Sequence, residues 1–216
     1  MKTDANRRRV DIGAALMAAG GLLVLSAISL FLYNDMDDKR ASASASRVAS
    51  ALALEIETRA AEMAPGAAMD ADGGSGTISI DGETYIGVLC VPALGLTLPV
   101  TRDWSYEKLK RSPCRYSGNI DEDTMVIAAH NYRRHFGNIR NLSRGDALTF
   151  TDAGGKEYGY TVAEIETLAA TGVEEMTESV YDITLFTCTY GGAARVAVRC
   201  VRAVPSPAAP DTPGGE

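Results

Sequence analysis

The most informative stretch of the sequence lies near the C-terminus: Leu185-Phe186-Thr187-Cys188-Thr189-Tyr190-Gly191-Gly192. Its apolar half predicts a buried strand that carries a thiol to its end, and its two glycines predict a turn. Arg195 follows at the start of the next apolar run. Because the thiolate is the nucleophilic form and a nearby positive charge favours it, this arrangement indicates a reactive cysteine rather than a structural one.

A reactive thiol needs a partner for proton transfer, and the chain has only two histidines, His130 and His135. His130 ends the apolar run 124–129, which predicts a strand, whereas His135 follows two arginines in a predicted loop. A side chain fixed at a strand end is aimed more reliably than one on a loop. We therefore favour His130 as the catalytic histidine, with His135 as the alternative.

The charge of the chain limits the class of protein. Its 216 residues carry a formal net charge of −7, and its pI is near 5.0. The arginines are dispersed and no basic stripe with interleaved aromatic residues is present, so we do not expect nucleic acid binding.

Residues 12–33 predict a transmembrane helix, because they are apolar and uncharged. This segment at about 1.5 Å per residue spans roughly 33 Å, enough to cross a hydrocarbon core of about 30 Å. Basic residues precede it and acidic residues follow it, which predicts that residues 1–11 are cytoplasmic and that the rest is extracellular. A cleaved signal peptide is the alternative, but the apolar segment is long for one.

The segments that flank the predicted catalytic region have the composition of spacers. Residues 34–76 predict an extracytoplasmic stalk and linker, with a helix over 47–63 that Pro65-Gly66 ends and a flexible stretch at 70–76. We favour a solvated spacer for this helix, and the alternative is that it docks on the following domain. Residues 205–216 are rich in Pro, Ala and Gly, which predicts a disordered tail.

Residues 77–204 predict a mainly β domain, because short runs rich in branched residues alternate with turn residues. The expected strands are 78–80, 85–91, 94–100, 125–129, 147–151, 158–168, 182–187 and 195–204. A helical segment is expected at 104–110 and a helical turn at 138–142. Strands at this spacing predict a closed or nearly closed β-barrel of about eight strands with short helices.

The order and type of these motifs resemble the sortase family. The resemblance runs from about Tyr85 to Arg202. Its elements are Leu98-Pro99-Val100, then Ala129-His130-Asn131-Tyr132 with Phe136-Gly137, then Gly145-Asp146, then Thr184-Leu185-Phe186-Thr187-Cys188-Thr189, then Arg195. The short interval between Cys188 and Arg195 is most similar to compact enzymes grouped with class B. The anchor and stalk also fit, since sortases lie on the outer face of Gram-positive cell membranes.

The resemblance implies a cysteine transpeptidase. We expect no cofactor and no metal, since the cysteines have no CxxC spacing and two histidines do not complete a zinc site. Cys188 is expected to form a thioester with a sorting signal of the Leu-Pro-x-Thr-Gly type, and His130 to serve as acid and then base. Arg195 is expected to stabilise the oxyanion beside the backbone N–H of Thr189. The expected substrate-binding residues are Thr187, Thr189 and Asn131. The expected partners are secreted proteins with such signals and an amine acceptor, either a cell-wall precursor or a pilin lysine.

Other charged or reactive side chains are expected to have structural or solvent-exposed positions. Arg199 lies on the same predicted strand face as Arg195, and we expect it to be a solvated charge. Cys90 and Cys200 are expected to be buried free thiols, with a disulfide between them as the alternative, and Cys114 to be a structural loop residue. The acidic run 121–123 is expected to be a solvated turn, and the alternative is a calcium site.

Two other functions stay open at the level of sequence. The same cysteine, histidine and arginine also suit an exported thiol hydrolase with water as the acceptor. A non-catalytic exported β-domain is the second alternative. A papain-like protease is disfavoured, because its cysteine precedes its histidine along the chain.

Overall fold

The computed structural model describes residues 2–62 and 76–203. The predicted helix end at Pro65-Gly66, the linker residues 70–75 and the tail 205–216 lie outside the described residues. The chain divides into two units, residues 1–40 and 41–216, and each is described by itself.

Helix α1 spans Lys2–Glu62, and its first part supplies the N-terminal unit. By length and composition, this helix can cross a membrane. The large apolar side chains of the apolar segment, such as Leu22, Leu25 and Phe31, are exposed. An apolar helix preceding the β domain was predicted from residues 12–33, and the structure confirms it.

The second unit contains nine strands and two further α-helices among its described residues. In chain order these elements are β1 (Ile78–Ile80), β2 (Glu83–Val91), β3 (Leu96–Thr101), α2 (Tyr106–Leu109), β4 (Cys114–Ser117), β5 (Met125–Ala128), β6 (Ala147–Asp152), β7 (Glu157–Ala169), α3 (Val173–Thr177), β8 (Ile183–Cys188) and β9 (Ala194–Arg202). Short 3₁₀ turns lie at Pro92–Leu94 and Ile139–Asn141.

Eight of the strands close into a barrel, as the sequence predicted. The sheet runs β1-β2-β3-β4-β5-β8-β9-β7-β6, and an additional pairing of β2 with β6 closes it. β1 pairs only with β2, so it lies outside the closed ring. β5 and β8 pair in parallel, whereas β8 and β9 form an antiparallel hairpin. Alternate side chains of these strands fill the interior with residues such as Leu89, Ile127, Phe150, Leu185 and Val198.

The last part of α1 packs on the barrel, so the favoured expectation of a solvated spacer is wrong for residues 41–62. The buried residues of this part recur every three or four positions, which makes one continuous stripe; they are Ala41, Ala45, Ala49, Leu52 and Ile56. Leu52 and Ile56 pack with Ile78, Tyr85 and Val88. The docking alternative is the one that the structure shows.

Candidate active site

The parallel pairing of β5 and β8 brings the ends of two strands together. Ala128 is the partner of Phe186 in this register, and the backbone N–H of Ala129 continues it by donating to the Phe186 carbonyl at 3.1 Å. His130 and Cys188 each follow two residues after that pair. Since neighbouring strands lie about 4.8 Å apart, their backbones are adjacent at the same end of the barrel.

The β8–β9 hairpin adds the arginine. Cys188 and Arg195 are paired across this hairpin, and the turn between them uses Gly191 and Gly192 at φ angles of 84° and 78°. These left-handed conformations favour glycine, as the sequence predicted for this turn. The Arg195 side chain donates from Nη1 to the carbonyls of Gly192 and Ala194, each at 3.1 Å. The guanidinium is therefore held beside the turn at the mouth of the hairpin.

His130, Cys188 and Arg195 line one cavity of about 250 Å³. The rest of the lining is largely aromatic or apolar and includes Trp104, Tyr106, Leu109, Tyr116, Val173, Met176 and Phe186. Ring contacts link part of this wall, with centroids 5.4 Å apart for Trp104 and Tyr116. The cavity thus combines a thiol, an imidazole and a guanidinium with a surface suited to an uncharged segment of substrate.

The alternative histidine lies elsewhere. His135 is fully buried and does not line the cavity. Burial and the neighbouring His130 lower the pKa of His135 to about 4. Its two ring nitrogens have no hydrogen-bond partner among the described residues. His135 is therefore a neutral core residue, and the histidine at the cavity is His130.

The residues expected to bind substrate have different surroundings. The Thr187 hydroxyl donates to the Ala129 carbonyl at 2.8 Å, so it ties β8 to the residue before His130. The backbone N–H of Thr189 donates to the Ala194 carbonyl at 2.9 Å, and its side-chain oxygen accepts from the Ala194 N–H at 3.0 Å. The N–H that was expected to help an oxyanion is thus engaged inside the turn. Thr187 lines the cavity, whereas Thr189 and Asn131 do not.

Arg199 is buried, so the expectation of a solvated charge is wrong. Its Nε donates to a carboxylate oxygen of Glu166 at 2.7 Å, and Nη1 donates to the Met176 carbonyl at 3.1 Å. Nη1 also donates to the Thr184 hydroxyl at 3.0 Å, and Nη2 donates to the Glu175 carbonyl. The guanidinium therefore satisfies carbonyls near the end of α3, a helix that supplies part of the cavity wall.

All four cysteines are free. Cys114 and Cys200 are buried, and desolvation raises the pKa of both thiols, that of Cys200 to about 12. Cys90 is only half-buried, so the expectation of a buried thiol is wrong there, and the alternative disulfide with Cys200 does not form. Cys188 is half-buried and is the cysteine that lines the cavity.

The acidic run 121–123 is a turn, as expected, in which Asp121 and Glu122 are exposed, and two of its three carboxylates also have protein partners. Asp121 accepts from the Tyr158 hydroxyl at 3.0 Å, and Asp123 is paired with Arg202. Across residues 2–62 and 76–203, no group of three or more His, Cys, Asp or Glu is arranged to hold a metal ion.

Comparison with known families identifies the domain. The model of the sortase domain matches residues 89–203, more than half of the chain. The chain therefore belongs to the sortase family, whose members are cysteine transpeptidases. No curated protein sequence matches it.

Several solved structures share its fold. Sortase C1 of GBS Pilus Island 1 is 22% identical, with a TM-score of 0.51, over 83% of this chain and 95% of that one. Sortase A from Corynebacterium diphtheriae is 22% identical, with a TM-score of 0.51, over 60% and 66%. A Clostridium perfringens sortase C, solved with the C-terminal cell wall sorting motif, is 22% identical, with a TM-score of 0.50, over 73% and 90%. These structures support the fold alone, and the likeness to class B stays a prediction.

Proposed function

We propose that this protein is a membrane-anchored transpeptidase that cleaves a sorting signal of the Leu-Pro-x-Thr-Gly type and transfers the protein to an amine. One observation carries the proposal: the strand register and the hairpin bring the thiol of Cys188, the imidazole of His130 and the guanidinium of Arg195 to one cavity. The aromatic wall of that cavity is suited to an uncharged segment of substrate, which agrees with the proposal. A sorting motif in one of the similar structures is consistent with this class of substrate.

The first half-reaction forms a thioester. The Cys188 thiol passes its proton to His130 as its sulfur attacks the threonine carbonyl carbon of the Thr-Gly bond, and negative charge develops on the carbonyl oxygen. Arg195 stabilises that charge, because a fixed positive donor in a water-poor cleft favours the charged transition state. The carbon–nitrogen bond then breaks as His130 gives a proton to the departing amine.

The second half-reaction releases the product. An amino group attacks the thioester carbonyl, His130 takes its proton, a new carbon–nitrogen bond forms and the carbon–sulfur bond breaks. The acceptor is a cell-wall precursor or a pilin lysine. The apolar helix holds the enzyme in the cell membrane, with the N-terminus cytoplasmic and the barrel extracellular, where secreted proteins and acceptors meet it.

The test is a transfer assay with the full chain in detergent. A fluorescent peptide that contains the sorting signal is offered together with a glycine peptide or a stem-peptide amine, and products are separated by chromatography. We expect a ligated product that depends on the amine. Cys188→Ala abolishes it, whereas Cys90→Ala, which removes another half-buried thiol, leaves the rate unchanged.

Each other outcome contradicts part of the proposal. Hydrolysis with every amine offered identifies a thiol hydrolase instead of a transpeptidase. Equal product from the wild type and Cys188→Ala excludes Cys188 as the nucleophile. If neither hydrolysis nor ligation occurs with any sorting-signal peptide, the barrel is a non-catalytic domain.

A further inference from the structure

An aromatic ring packs face to face with the proposed catalytic imidazole. The rings of Tyr132 and His130 are stacked, with centroids 4.9 Å apart and planes inclined by 25°. This separation lies within the range of favourable ring stacking, about 4.5–7 Å. His130 lines the cavity and Tyr132 does not, so the tyrosine supports the imidazole from outside the cavity.

The loop that carries Tyr132 is fixed by its own backbone. The Tyr132 carbonyl accepts from the N–H groups of His135 at 3.0 Å and Gly137 at 2.9 Å, and the His130 carbonyl accepts from the N–H of Phe136 at 3.2 Å. His135 and Phe136 are both fully buried, so they anchor the loop in the core. A side chain at Gly137 would meet the Tyr132 carbonyl oxygen at 2.7 Å, which shows how tightly the loop is folded.

A second ring contact joins the tyrosine to the core. The His135 ring lies 5.6 Å from the Tyr132 ring, centroid to centroid, at an angle of 53°. The three rings therefore form a short series from the core to the cavity. Because burial keeps His135 neutral near pH 7, it contributes packing to this series and no competing charge.

We propose that Tyr132 is a positioning residue that orients His130 and favours its protonated form through the face of its ring. The proposal rests on the function proposed above, in which His130 must hold a proton to release the first amine. A cation over the face of a tyrosine ring is attracted by the π electrons. His130 shares the cavity with the titratable or charged side chains of Cys188 on β8, Arg195 on β9, Tyr106 on α2 and Tyr116 on β4. Arg133 and Arg134 are exposed on its own loop, and the His135 ring contacts Tyr132.

The test measures the pKa of His130 directly by NMR, with the imidazoles of the full chain labelled in detergent. Only two histidines are present, so two signals are expected, and His130→Gln assigns them. Tyr132→Phe keeps the ring and should keep the wild-type pKa. Tyr132→Leu and Tyr132→Met fill the space without a ring face and should lower the pKa of His130 by about half a unit to one unit.

The same variants are compared in the transfer assay. Tyr132→Leu should lower kcat several-fold at neutral pH with little change in KM, and Tyr132→Phe should behave like the wild type. Fluorescence of the single tryptophan, Trp104, reports that each variant is folded. An unchanged His130 pKa in a folded Leu or Met variant overturns the proposal, as does failure of Tyr132→Phe to retain the wild-type pKa.

The two proposals fail in different ways. A shifted His130 pKa without any transfer activity in the wild type supports the stacking role and contradicts the proposed function. Normal transfer activity with the same His130 pKa in the wild type and the three Tyr132 variants supports the proposed function and contradicts the stacking role.

Discussion

Arg195 and Arg199 lie four residues apart on β9, yet their surroundings separate their roles. Arg195 is partly exposed at the cavity, where its Nη1 donates to two carbonyls of the adjoining turn. The side chain of Arg199 is only 3% exposed and is paired with Glu166. Strand alternation puts both on one face, so only the elements packed above them distinguish a binding residue from a structural one.

The same substitution at both positions separates these roles. Arg195→Met should lower kcat by roughly 10²–10³-fold, because the oxyanion loses its charged donor, without changing the melting temperature. Arg199→Met should lower the free energy of unfolding by about 1–3 kcal/mol, because the carbonyls of α3 lose their donor. Transfer assays and thermal unfolding are compared for both variants. The assignment is wrong if Arg195→Met is the variant that unfolds early or if its kcat is normal.

His135 predicts how stability depends on pH. Its pKa is about 4 in the folded chain against 6.5 in the unfolded chain, so only the unfolded state binds the proton between these values. The part of the stability that depends on neutral His135 is therefore fully present above pH 6.5 and is lost as the pH falls toward 4. The loss that depends on His135 should be about 2 kcal/mol between pH 7 and pH 5.

The variant His135→Leu isolates this contribution. It removes the titrating group and the two ring nitrogens that have no hydrogen-bond partner in the part of the chain that the structure describes, so its stability should change less with pH than that of the wild type. Urea unfolding of the full chain in detergent, followed by Trp104 fluorescence, gives both curves. Parallel pH dependence in the two proteins would show that His135 does not titrate as described.

At the scale of elements, the docked part of α1 gives a matched pair of leucines. Leu52 is fully buried against the barrel, whereas Leu54 is 66% exposed. Leu52→Ala should therefore destabilise the protein by about 2–5 kcal/mol, because it leaves a cavity under the helix. Leu54→Ala should change stability by less than about 0.5 kcal/mol. Chemical unfolding measures both, and equal effects would mean that the helix is not docked.

The strand ends that carry the candidate catalytic side chains could be predicted from the sequence. His130 and Cys188 each end an apolar run, and two glycines mark the turn before Arg195, so the local pattern predicted both strand ends and the hairpin. The barrel followed from the number and spacing of such runs. These features depend on residues close together in the chain, and a single sequence records them.

Elements held by distant partners could not be predicted in this way. β4 has four residues and was expected to be a loop, because its strand character comes from pairing with β3 and β5. The five-residue helix α3 has no side-chain hydrogen bond at its N-terminal cap and is tied down by Arg199 from β9. Three of the five residues in the buried stripe of α1 are alanines. Alanine is also common on exposed helix faces, so the sequence did not predict that this stripe packs on the barrel.

At the scale of the whole molecule, the proposed topology can be tested by the accessibility of thiols. Cys90 and Cys188 are half-buried, whereas Cys114 and Cys200 are buried. If the barrel is extracellular, a membrane-impermeant thiol reagent added to intact cells should label the protein. Replacing both Cys90 and Cys188 with alanine should remove most of that label. Labelling that requires broken cells would place the barrel in the cytoplasm and contradict the proposed anchor.

The account depends most on a covalent bond between substrate and Cys188. The full chain is incubated with a sorting-signal peptide without an amine, quenched with acid within seconds, digested and analysed by mass spectrometry. We predict an acyl group that ends at the threonine carbonyl, attached to the peptide that contains Cys188 and released by hydroxylamine. Cleavage of the signal with Cys188 unmodified at every time sampled, or an acyl group found on another residue, would contradict the account.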